Sequence, residues 1–99
     1  MAMARLGKVA RGKSRWVGFS IAPAIESREA CHASISDNLS GISWKMYDCK
    51  LNNSRTLVII RVPLEECDEA ISKINKCETM QTITKSGKIR LVRERLGLN

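Results

Sequence analysis

Thr56-Leu57-Val58-Ile59-Ile60-Arg61-Val62 is the clearest strand in this 99-residue chain. Its nearly unbroken apolar run, Leu57 to Ile60, leaves neither face for water, so the strand belongs at the centre of a sheet. Just upstream, Asn52-Asn53-Ser54-Arg55 is a cluster of turn residues, and residues 43–51 read as a preceding strand. Two strands around a short turn make a hairpin. Just downstream, Pro63 opens a helix whose first turn holds Glu65, Glu66 and Asp68, acids suited to the positive end of a helix dipole. Leu64, Cys67, Ile71 and Ile74 fall on one stripe of that helix, and Lys73 and Lys76 suit its other end.

Further out, Arg15-Trp16-Val17-Gly18-Phe19-Ser20-Ile21 places Val17, Phe19 and Ile21 on one face of a strand that Pro23 ends. Ser27 is an N-cap candidate for a helix over residues 28–39, with Cys31, Ile35 and Leu39 on its apolar stripe and Gly41 just past its end. Thr79-Met80-Gln81-Thr82-Ile83-Thr84 is a fourth strand, rich in β-branched residues. After it, Lys85-Ser86-Gly87 reads as a turn into a short helix capped by Ser86, with Ile89, Val92 and Leu96 on one stripe. Lys88, Arg90, Arg93 and Arg95 fall largely outside that stripe. The order is β-α-β-β-α-β plus a short C-terminal helix. That predicts an α+β fold of the ferredoxin-like, split β-α-β kind: an antiparallel sheet with two helices on one face. Residues 14–97 are expected to form a single domain. Residues 1–13, with Gly7 and Gly12 amid alternating charge, are expected to be a basic flexible arm.

The net charge of +7 is carried by the two ends. Residues 1–15 have five bases and no acid; residues 85–99 have five bases and Glu94; residues 16–84 have seven bases and nine acids. A nearly neutral middle between two cationic ends favours a polyanionic partner, nucleic acid above all. The basic N-terminus lacks the apolar stretch of a secretory signal, and no apolar run approaches the ~20 residues of a membrane span, so a cytoplasmic protein is expected.

Protein-based catalysis is not expected. His32 is the only histidine and sits mid-helix, Asp37 and Asp48 have no partner at motif spacing, and Ser86-Gly87-Lys88 follows no glycine-rich turn. The four cysteines, Cys31, Cys49, Cys67 and Cys77, form no close pair of the kind that zinc sites use. Cys31 and Cys67 are expected in the core, as are Trp44 and Met46. Sheet-based RNA readers stack bases on strand aromatics. The strand ending in Arg61 contains none, which disfavours that mode. Arg61 itself reads equally as an RNA contact or as an arginine reaching solvent.

Three segments together resemble the archaeal ribonuclease P protein component 2 family, relatives of a small eukaryotic ribonuclease P subunit. Ser14-Arg15-Trp16-Val17-Gly18-Phe19 resembles the family's Arg-aromatic pair and opening strand, with tryptophan where tyrosine is more usual. Leu57-Val58-Ile59-Ile60-Arg61 resembles its apolar strand ending in arginine. Ser86-Gly87-Lys88-Ile89-Arg90 resembles its Ser-Gly-x-Ile-Arg signature before a basic helix. The resemblance implies a non-catalytic subunit of the enzyme that removes the 5′ leader of precursor tRNA. The RNA subunit carries the active site and its magnesium. Component 3 is the implied protein partner, in a two-plus-two heterotetramer, and precursor tRNA would be met only indirectly. The candidate RNA contacts are Arg15, Arg61, Lys85, Lys88, Arg90, Arg93 and Arg95, with Ser86 and Gly87 shaping the signature turn. No cofactor or metal is expected on this chain itself. The alternative is a ferredoxin-like module that binds a small regulatory molecule across a dimer interface; it leaves both basic ends unexplained.

Overall fold

A computed structural model of the chain describes residues 13–98. The expected arm lies outside the described residues except for Lys13, whose carbonyl accepts the amide of Leu64. The fold is α+β. Strands β1 (Ser14–Ile21), β2 (Lys45–Asn52), β3 (Arg55–Pro63) and β4 (Met80–Ser86) form one sheet in the order β2-β3-β1-β4. Helices α1 (Arg28–Asn38), α2 (Cys67–Lys76) and α3 (Ile89–Leu96) complete it, with a 3-10 turn, Leu64–Glu66, before α2. Every neighbouring pair is antiparallel. It follows that β1 runs with β2 and β3 with β4, which is compatible with two interleaved β-α-β units.

β3 is central, as its apolar run requires, and its alternate side chains feed two separate cores. Val58, Ile60 and Val62 join Val17, Phe19 and Ile21 of β1 beneath α1 and α2, which bury Cys31, Ile35, Cys67, Ala70 and Ile74 there. Leu57 and Ile59 face the other way and meet Val92 and Leu96 of α3, with Trp16 and Ile89 at the margin. The chain is thus three layers: two helices, the sheet, and one short helix on the opposite face. Placing α3 there depends on Gly18. A Cβ at that position would stand 2.8 Å from Val92 Cγ1 and 3.0 Å from Leu96 Cδ1, so only glycine admits the helix this close to β1.

Local signals explain most boundaries. Ser27 caps α1 as expected, accepting the Ala30 amide on its Oγ. Asn53 takes a left-handed φ of 58° in the β2–β3 turn, where asparagine is tolerated. Buried Thr56 both donates to the Ile25 carbonyl and accepts the Ile25 amide, tying the loop after β1 to the start of β3.

Three expectations need correction. Ser86 does not cap the last helix: it is the last residue of β4, Lys88 occupies the cap position, and Ser86 Oγ accepts the Lys88 amide across the turn. Leu64 is not on the α2 stripe but exposed in the 3-10 turn, because Pro63 is followed by a tighter turn before the α-helix begins at Cys67. Trp44 precedes β2 rather than lying in it; it still packs against the larger core, beside buried Met46.

Candidate nucleic-acid interface

The sheet register brings distant sequence segments to one place. Trp16 on β1 lies opposite Arg61 on β3 and opposite Ser86 on β4, and Arg61 lies opposite Lys45 on β2. Residues opposite one another in a sheet face the same side. Lys45, Arg61, Trp16 and Ser86 therefore form one row across all four strands, on the face that carries α3. The row sits where β1 and β2 begin and β3 and β4 end. The Ser86-Gly87-Lys88 turn and the N-terminus of α3 adjoin it.

Aromatic and cationic side chains interleave there. The rings of Trp16 and Tyr47 meet edge to face, with centroids 4.5 Å apart. The Arg61 guanidinium lies 5.7 Å from the Trp16 ring, and Lys45 Nζ lies 5.6 Å from the Tyr47 ring. Each cation is within the range in which a ring quadrupole attracts it. Arg61 is fixed further by donating from Nε to Ser14 Oγ at 2.9 Å. Among the described residues its terminal nitrogens have no hydrogen-bond partner, so they remain available to an anion.

The other candidate cations divide into two groups. Arg93 reaches across the sheet to Asp48 on β2, donating from Nε at 2.7 Å and from Nη2 at 3.2 Å. That bond, then the carboxylate's charge, pushes the Arg93 pKa further above its ordinary value. Arg95 donates to Thr84 Oγ1 and to the Lys85 carbonyl. These two arginines fasten α3 to β2 and β4. Lys85 pairs with Asp68 at 3.6 Å, an exposed contact of little energetic weight. Arg15 donates to the Ser14 carbonyl and lies alongside Gly87. Lys85 lies opposite Val17, and Arg15 alternates with Trp16, so both point to the α2 side of the sheet, where their charge works against the burial that pushes the Cys67 thiol up. Lys88 and Arg90 are exposed, and their side chains make no hydrogen bond or ion pair among the described residues. They are the cations of α3 left for a partner.

Sequence reasoning missed Lys45, Tyr47 and the pairing of Arg93 with Asp48. No spacing rule links Asp48 to a residue 45 positions away. The aromatics were hidden because they come from β1 and β2 rather than from β3. A groove of about 300 Å³ opens beside the row, bordered by Trp44, Lys45, Arg61 and Lys13. Among the described residues no three His, Cys, Asp or Glu side chains gather as a metal site would need. The cations at this end of the sheet would repel a metal ion and attract phosphate. Compared with known proteins, the chain matches no family model, no curated protein and no solved structure.

Proposed function

We propose that this chain is a non-catalytic, RNA-binding subunit of ribonuclease P, of the archaeal component 2 type and of ferredoxin-like fold. The observation that carries the reading is convergence. The three segments that resemble the family, around residues 14–19, 57–61 and 86–90, are far apart in sequence. Trp16 pairs with both Arg61 and Ser86, so all three meet at one end of the sheet. Alternation of strand direction and the order β2-β3-β1-β4 support the ferredoxin-like assignment.

In this role Lys88 and Arg90 contact RNA phosphates. Arg61 extends the same cationic surface, Arg15 and Lys85 add positive charge on the α2 side of the same sheet end, and Arg93 and Arg95 hold α3 in place. The surface reads charge and shape rather than sequence. Engaging ~5 phosphates gives a log–log dependence of affinity on salt with a slope of roughly −4. Magnesium belongs to the RNA subunit, which performs the cleavage of precursor tRNA; the chain supports it in the cytoplasm together with component 3 in a two-plus-two assembly.

Purification of the tagged chain from its own cells, followed by sequencing of the bound RNA, tests the proposal. Strong enrichment of ribonuclease P RNA over its cellular abundance is expected. Recovery of RNA only in proportion to abundance contradicts it.

A further inference from the structure

We infer that the groove beside the cross-sheet row is a binding site for one unpaired nucleotide, its base against Trp44 and its phosphate on Lys45 and Arg61. The inference rests on the RNA-binding reading above and adds a site which that reading does not contain. A volume of about 300 Å³ lies at the small end of the range for ligand pockets, room for a single nucleotide and not for a duplex. The lining fits the two halves of a nucleotide. Trp44 is half-buried, packs against the larger core, and has the His32 ring 4.7 Å away, so its indole is held in position before a ligand arrives. A fixed indole stacks any base, because every base has a π-face. Lys13, Lys45 and Arg61 supply three positive charges at the border, and Ser14 and Ser43 supply hydroxyls for the sugar. Among the described residues the lining contains no carboxylate; Glu66 stands beside it with Oε1 occupied by the Ser43 amide, so three cations face one neighbouring acid.

Lys45 and Arg61 also belong to the row that leads to the Ser86-Gly87 turn. A strand leaving a phosphate on Arg61 therefore continues onto the cations of α3. The groove and the α3 surface form one path, with an unpaired nucleotide at its end.

The test measures binding of the full chain, by fluorescence anisotropy, to three labelled 12-mers: oligouridylate, an abasic ribose-phosphate oligomer, and duplex RNA. Oligouridylate is expected to bind about tenfold tighter than the abasic oligomer, the scale of one stacked base. Trp44→Ala removes that difference, Trp44→Phe retains most of it, and duplex binding is unchanged by either. Because Trp44 also packs on the core, the comparison of oligouridylate with the abasic oligomer on the unmutated chain stands without any variant. Equal affinity for those two overturns the inference. If ribonuclease P RNA is still bound tightly in that case, the ribonuclease P reading survives the loss of the groove. Tight, base-dependent binding of oligouridylate without preference for ribonuclease P RNA retains the groove and removes the ribonuclease P reading.

Discussion

Gly18→Ala probes the placement of α3, on which the candidate interface depends. The new methyl carbon would lie 2.8 Å from Val92 Cγ1 and 3.0 Å from Leu96 Cδ1. Unstrained carbon contacts are ~3.5–4.0 Å. Val92 is fully buried, and its β-branched side chain has one strongly preferred rotamer in a helix, so it cannot swing aside. β1 is held between β3 and β4 and does not yield easily. The helix must therefore lift by several tenths of an ångström. Overpacking of this kind costs ~1–3 kcal/mol. Alanine at a position it can adopt also gains ~0.4–1 kcal/mol through the unfolded chain. The net expectation is a loss of ~0.5–2 kcal/mol, or roughly 2–15 °C in Tm for a domain of this size. Thermal and urea unfolding followed by circular dichroism measure it. In a Val92→Ala background the cost of Gly18→Ala should shrink or vanish, because the two changes share one contact. If Gly18→Ala leaves the chain equally stable or makes it more stable, α3 does not rest on β1 and the layered arrangement is wrong.

Three further outcomes separate binding from bracing. Lys88→Ala/Arg90→Ala should leave Tm unchanged and reduce the magnitude of the salt slope of RNA binding by roughly 1.5, the share of two phosphate contacts; an unchanged slope removes both residues from the interface. Arg93→Ala should do the reverse, lowering Tm through the lost Asp48 pair while leaving the slope alone; a smaller slope at constant Tm makes Arg93 a phosphate contact. Burial, then the hydrogen bond and charge of Cys49, pushes the Cys31 thiol up to about 12 from an ordinary value of 9.0. The unfolded chain thus loses this proton at lower pH than the folded one. Stability from this group is complete below about pH 9 and declines as pH rises toward 12. Urea midpoints compared between pH 8 and 10 should fall less for Cys31→Ala than for the unmutated chain.

β1, β3, β4 and the two longer helices were legible because each carries one clear local pattern, whereas β2 slips register between Met46 and Asp48 and begins later than its sequence suggests. The apolar run of β3 called for burial on both faces, and Ser27 announced its helix. What escaped depends on pairing between distant segments. That α3 takes the opposite face from α1 and α2 follows from Gly18, whose missing side chain is visible in the sequence but whose partners are not. Ser86 looked like an N-cap because serine before a helical stripe usually is one; here the strand runs two residues beyond its β-branched core, and Ser86 closes the turn instead. The basic residues of α3 read as one face, yet Arg93 and Arg95 are long enough to fold back onto β2 and β4, which periodicity does not reveal. The Trp16–Tyr47 contact likewise requires the register, since the two aromatics share no segment.

Reconstituted cleavage is the most direct measurement. Ribonuclease P RNA from the same cells is assayed on precursor tRNA across a series of magnesium concentrations, with component 3 and with or without this chain. Addition of the chain should raise cleavage most at low magnesium, where bound cations substitute best for metal ions, and Lys88→Ala/Arg90→Ala should weaken that gain. Cleavage that is the same with and without the chain at every magnesium concentration would contradict its assignment as a ribonuclease P subunit.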